Sequence, residues 1–446
     1  MGGVTEGAGV FRTPVGVRRV VFLAAAGAAL AAAARWCASP WGIVHMTAAP
    51  VVLAYAVLLR PALLSRLRLR HIVYLAAPSA LVVACQVALT RTSPHLRFHW
   101  TEVPVATCFL ASMGLIVALL DHGVKKLVSI GLGLSGPASA PRRLYVLRAL
   151  LRMAVVLAVA APYMAGTLLT HSLRVLDDTD PNVQLGPACR AVRFTGADGG
   201  AVSGWYVPAA GGDSDATVVL VPGRMQWRAS TLGYVEMVRR AGYNVLFFDF
   251  LGPTGTRGRV RGLGSTEAQA VLGAARYLKW CRPRQSRHVF ALGVAEGAGA
   301  VAFAAARDRR IEAVILDNPF SGEGCILRRG IARLPGLLGP YVRRASLLFA
   351  SMAIGRDLFG AGLEATVDGF APRPFLLVQG ESDSACSIEQ ARRFCESREA
   401  QGDLWLAPEA RRDDARLRVW GTYSARVRYL FQLARRAPRV GRVGSG

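Results

Sequence analysis

The pentad Gly293-Val294-Ala295-Glu296-Gly297 follows a short apolar run and leads into an Ala-rich one. Strand, sharp turn and helix in that order make a nucleophile elbow. Its pattern, Gly-x-Ser-x-Gly, lifts a serine above the end of a sheet on a strained turn. Both glycines are in place here, but the central residue is Ala295. A methyl group has no lone pair with which to attack. A proton acceptor is also missing downstream, because His288 is the last histidine of the chain. Three carboxylates, Asp249, Asp317 and Asp383, close apolar runs of strand character. Open α/β sheets place their sites at such strand ends, and the same residues also serve as caps and turns. With no histidine pair beside them, no metal and no cofactor are expected. Eight cysteines show no paired spacing, so neither a zinc site nor a disulfide framework follows. Cys386 and Cys395 fall at opposite ends of one expected helix and are not expected to pair. The stretch Gly131-Leu132-Gly133-Leu134-Ser135-Gly136 spells a dinucleotide-type loop but lies in a linker with no strand before it, so no such site is expected.

The elements that must hold these residues fall in two halves. The chain has 446 residues, 52% hydrophobic, with a formal charge of +25 carried mostly by arginine. A GC-rich genome supplies arginine freely, and a bacterial protein is expected. Contact with anionic lipid suits so apolar a chain better than contact with nucleic acid, for which no module is visible. Five apolar stretches, near 19–37, 42–59, 71–89, 103–120 and 149–170, are long enough to cross a bilayer. Basic residues alternate between the connecting loops: Arg12, Arg18 and Arg19; then Arg60, Arg66, Arg68 and Arg70; then Lys125, Lys126, Arg142, Arg143 and Arg148. That pattern places the amino terminus in the cytoplasm of a bacterial inner membrane and the carboxy-terminal domain outside. No acidic pair lies within the stretches, which favours an anchor over a transporter. The expected division is a basic segment 1–18, an all-α multi-span transmembrane domain 19–172, a second domain 173–436 and a flexible tail 437–446.

From residue 175 onward short β-rich runs alternate with helical ones. This predicts an α/β fold, a doubly wound and mainly parallel sheet. Strands are expected at 190–194, 202–207, 217–221, 244–248, 288–292, 311–316, 375–379 and 404–406. Helices are expected at 230–241, 266–280, 297–306, 388–396 and 422–434. Within a possible lid at 321–370, residues 325–359 read as basic, apolar helices. Such a segment suits either a lid over an apolar cleft or a helix lying on an anionic bilayer.

The order of these runs and their closing residues, Val221-Pro222-Gly223, Asp249-Phe250-Leu251-Gly252, the elbow, Asp317-Asn318-Pro319-Phe320 and Gly380-Glu381-Ser382-Asp383, resemble the α/β-hydrolase superfamily. Most similar are the membrane-associated serine hydrolases of the Bem46 and ABHD type. The resemblance covers about 260 residues. It implies that Ala295 holds the nucleophile position and Asp383 the retained acid. Arg411 falls near the base position, and arginine is always protonated. It also implies oxyanion donors in the backbone of Arg224 and Glu296, with Gly293 and Gly297 as the elbow glycines. Pro222-Gly223 replaces the family's His-Gly. Glu296 as nucleophile would need a one-residue slip, and Ser321 would lack a histidine to activate it. The expectation is therefore a pseudoenzyme that binds a hydrophobic, lipid-like ligand or a protein partner. The alternatives are an ester or amide hydrolase with non-standard residues, and a structural membrane module.

Overall fold

The computed structural model describes residue 23, residues 96–98, scattered positions between 111 and 127, and residues 142–170, 175–177, 180–186, 188–223, 228–248, 262, 264–319, 338–354, 358, 366, 368–370, 372–383, 388–396, 401–411 and 415–436. The first four apolar stretches, Arg224, Asp249, Ser321, Cys386 and the tail thus lie almost wholly outside it. The chain forms two compact units. One comprises Met1–Ala88 and Trp100–Val156, the other Leu89–His99 and Leu157–Gly446. A helix, α1 (Arg142–Thr170), carries the fifth apolar stretch. Among the described residues no helix is long and apolar enough to cross a membrane.

The second unit is built on eight strands: β1 (Arg190–Thr195), β2 (Ala201–Val207), β3 (Ala216–Val221), β4 (Asn244–Phe248), β5 (His288–Val294), β6 (Ile311–Asp317), β7 (Pro374–Gly380) and β8 (Gln401–Ala407). Their order across the sheet is β8-β7-β6-β5-β3-β4-β2-β1. β1 and β2 form an antiparallel pair, β2 joins β4 antiparallel, and every other pairing is parallel. β3, β4 and β7 are buried at every position, which is why they read as continuous apolar runs. β1 at the edge alternates buried and exposed along most of its length.

Helices α2 (Pro181–Leu185), α3 (Arg228–Arg240), α4 (Ala268–Cys281), α5 (Glu296–Arg307), α6 (Leu338–Ile354), α7 (Ile388–Cys395), α8 (Ala415–Arg418) and α9 (Trp420–Arg436) also belong to the unit, as does a separate antiparallel pair of short strands, Leu96–Phe98 and Val175–Asp177. Two apolar layers form, one on each face of the sheet. One joins α4, α5 and α7 through Val271, Ala298, Val301 and Phe394. The other joins α3 and α9 through Val235, Val238, Val427 and Phe431. Glu267 was expected in the first turn of α4 and instead stands at its N-cap position with no side-chain bond to the helix; its carboxylate accepts from the N–H of Gly264, in the preceding turn, at 2.9 Å. Cys395 carries a free thiol, and burial pushes its pKa up to about 12.

Candidate functional site: a strained elbow carrying alanine

The strand order reverses between β3 and β5, and the crevice at their carboxy ends is the ligand-binding position of an open α/β sheet. β5 ends there at Val294 and α5 begins at Glu296, leaving Ala295 as the whole turn. Ala295 has φ 52° and ψ −115°, a backbone that residues with a Cβ rarely adopt. The close approach around it accounts for both glycines. A Cβ at Gly293 would lie 2.3 Å from the Gly297 carbonyl oxygen. One at Gly297 would lie 2.3 Å from that of Val221 and 2.5 Å from that of Pro222. The strained turn is thus present in full, and it carries a methyl group where a hydroxyl would act.

Strain at a non-glycine residue of this kind costs about 1–3 kcal/mol. Replacing Ala295 by glycine removes that cost and adds about 0.5–1 kcal/mol of unfolded-state entropy. Ala295→Gly should therefore stabilise the domain by about 1 kcal/mol, read as a raised denaturation midpoint. A midpoint that falls would show that the Ala295 methyl is held by packing.

The positions expected to surround the nucleophile lie along the same edge, tied strand to strand. The Ala295 N–H donates to the Asp317 carbonyl at 2.8 Å. The next residue, Asn318, donates its N–H to Val378 O at 2.7 Å and accepts from the Gly380 N–H at 3.0 Å. The turn after β7 then meets the turn after β8. Glu381 N–H donates to Ala407 O at 3.1 Å and Ser382 N–H to Ala410 O at 2.9 Å. Asp383 and Arg411 each follow a partner in that last bond, so the acid position and the expected base position are brought into neighbouring turns. Asp383 is half-buried, with Gln379 Nε2 donating to Oδ2 at 3.4 Å, and Arg411 is exposed. Glu296 is buried in the first turn of α5, where the helix dipole favours its charge. Arg224, the other expected oxyanion donor, lies outside the described residues. Among the described residues no three His, Cys, Asp or Glu side chains converge to hold a metal.

One cluster beside the elbow was not anticipated from the sequence. The Asp317 carboxylate is fully buried and accepts at Oδ2 from Tyr234 Oη at 2.9 Å and Tyr423 Oη at 2.8 Å. At Oδ1 it accepts from Asn318 Nδ2 at 2.8 Å. Asn318 has φ 46°, which asparagine tolerates better than most residues. Burial first, and the Asp317 charge second, hold the Tyr423 hydroxyl well above its ordinary pKa. The Arg416 guanidinium stacks over the Tyr234 ring at 4.7 Å. This network joins the end of β6 to α3 and α9 immediately behind the elbow. The Asp317-Asn318 strand end was visible in the sequence. The tyrosines come from positions 83 and 106 residues away, and no local pattern marks them.

The strand order and the strained strand–turn–helix junction together define an α/β-hydrolase fold. No family model matches the chain. The uncharacterized protein YfhR of Escherichia coli O157:H7 is 24% identical over 233 residues, covering 51% of this chain and 75% of that protein. Among solved structures, an esterase of Pyrococcus furiosus, Pf2001, is 23% identical with a TM-score of 0.49, covering 59% of this chain and 97% of that one. Est1E of Butyrivibrio proteoclasticus, with ferulic acid bound, is 17% identical with a TM-score of 0.42, covering 55% and 100%.

Proposed function

We propose that this chain is a membrane-anchored pseudoenzyme: an α/β-hydrolase-fold domain that has kept its cleft for binding a hydrophobic, lipid-like ligand or a partner, and has lost its hydrolytic chemistry. The observation that carries this reading is Ala295 in the strained elbow conformation, at φ 52°. Acyl transfer needs a nucleophile, a base to take its proton and a group to orient the base. Here the first position is a methyl group and no histidine follows it in the chain. An arginine near the base position stays protonated at neutral pH. The membrane reading rests on the first four apolar stretches, between residues 19 and 120, and on the alternating basic loops; the fifth stretch, the described helix α1, is not counted as a span. It agrees with the resemblance to membrane-associated Bem46- and ABHD-type hydrolases.

A second reading, a hydrolase with rearranged residues, draws on the half-buried Asp383, which keeps the acid position within the joined β7 and β8 turns. Hydrolysis of p-nitrophenyl butyrate by the purified full-length chain separates the two. No rate above the buffer background is expected. A saturable rate that Asp383→Asn abolishes would establish the second reading and remove the first.

A further inference from the structure

Helix α6 occupies the segment between β6 and β7 where a lid, or a helix lying on an anionic bilayer, was expected. Its buried positions include Val342, Ser346, Ala350 and Ala353. That side meets the carboxy-terminal half of α1. A Cβ on Gly166 would lie 2.3 Å from the Ser346 carbonyl oxygen and 2.9 Å from the Phe349 Cβ. Tyr163 and Phe349 pack edge to face at 5.5 Å, and Tyr341 Oη donates to Ala158 O at 3.0 Å. Close crossings through glycine and other small residues are how helices pack without much polar help.

The outward faces of this helix pair are the unusual feature. On α6, Leu338 (46% exposed), Tyr341 (46%), Leu348 (50%) and Met352 (48%) form a stripe at helical spacing, with Arg344 as its exposed charge. On the carboxy-terminal half of α1, Met164 is also exposed. A helix pair surrounded by water carries polar outer faces. This pair has apolar ones on both members, and neither helix contains a single Asp or Glu.

We infer that α6 is an interfacial element that rests its Leu338–Tyr341–Leu348–Met352 face on an anionic bilayer, beside α1. This rests on the membrane-anchor reading above. The charge pattern selects the occupant. Arg344, which borders that stripe, is drawn to anionic headgroups while the apolar residues enter the acyl boundary. A second copy of the chain packed on this face would set Arg344 against its own copy. The consequence is functional: the segment joining two site-bearing strands is held against the membrane, so a lipid-like ligand reaches the domain from the bilayer rather than from water.

Site-specific photo-crosslinking tests this on the full-length chain in nanodiscs of phosphatidylcholine and phosphatidylglycerol. p-Benzoylphenylalanine replaces Leu348 or Met352 and, as a control, the highly exposed Val183 of α2. Lipid adducts at Leu348 and Met352 are expected at several-fold the yield at Val183. Equal yields at all three sites, in protein that resists alkaline extraction from the discs, overturn the α6 contact and leave the anchor standing. Release of the chain by alkali overturns the anchor and the α6 contact together. Chain-to-chain crosslinks at Leu348 overturn the lipid assignment in favour of a second copy.

Discussion

Gly297→Ala is expected to lower the stability of the domain by about 3 kcal/mol or more. The added Cβ would sit 2.3 Å from Val221 O and 2.5 Å from Pro222 O. Those atoms are backbone at the end of β3, a strand buried at every position and bonded on both sides. No side chain can swing away, so α5 or β3 must shift, and the parallel register beside the elbow shifts with it. A domain of ordinary stability, roughly 5–15 kcal/mol, would lose a large part of its margin. Thermal denaturation should show a midpoint lower by about 10 °C. A midpoint unchanged by Gly297→Ala would mean that the elbow is wide enough to take a methyl group between Val221 O and Pro222 O. The prediction also separates two reasons for a glycine at this position. It is needed by sterics whether or not the turn carries a nucleophile, so both glycines are explicable with alanine at residue 295.

Tyr423→Phe should cost about 1.5–3 kcal/mol, the range for a hydrogen bond to a charged group. The lost hydroxyl is one of two that satisfy Oδ2 of the buried Asp317 carboxylate. The substitution keeps the ring that packs against Tyr234 and Trp405, so the loss reports the hydrogen bond rather than a cavity. The same residue sets an alkaline limit. Its folded pKa lies well above the ordinary 10.0, because burial and the neighbouring carboxylate oppose ionisation. Above pH 10 the unfolded tyrosine releases its proton while the folded one keeps it, so stability falls as pH rises past 10. Denaturant midpoints measured from pH 8 to 11 should drop more steeply for the unmodified protein than for Tyr423→Phe. Parallel curves, merely offset, would show that Tyr423 does not titrate between the two states.

The two halves of the chain differ in how openly the sequence states its structure. The parallel strands were legible because burial on both faces leaves unbroken apolar runs, as in Ala216–Val221 and Asn244–Phe248. The elbow was legible because its steric demands fix two glycines four residues apart. Asp383 and Arg411 could be placed because each follows a strand end, and the structure brings their turns together through Ser382 and Ala410. The Asp317 cluster was not legible, since Tyr234 and Tyr423 meet it only through the packing of α3 and α9. Nor was the pairing of α6 with α1. Gly166 lies in an apolar stretch where one small residue looks like any other, and its meaning comes from Ser346 and Phe349 across the crossing.

The central claim is that the elbow survives and its chemistry does not. Fluorophosphonate labelling of the full-length chain tests it most directly, with the unmodified protein beside the Ala295→Ser, Arg411→His double variant. The unmodified protein should stay unlabelled, while the double variant, with a hydroxyl on the strained turn and an imidazole beside Asp383, should take up the probe. Triad groups act as a unit, so either substitution alone should gain little. Labelling of the unmodified protein would contradict the account, because a nucleophile other than residue 295 would then be active in the cleft.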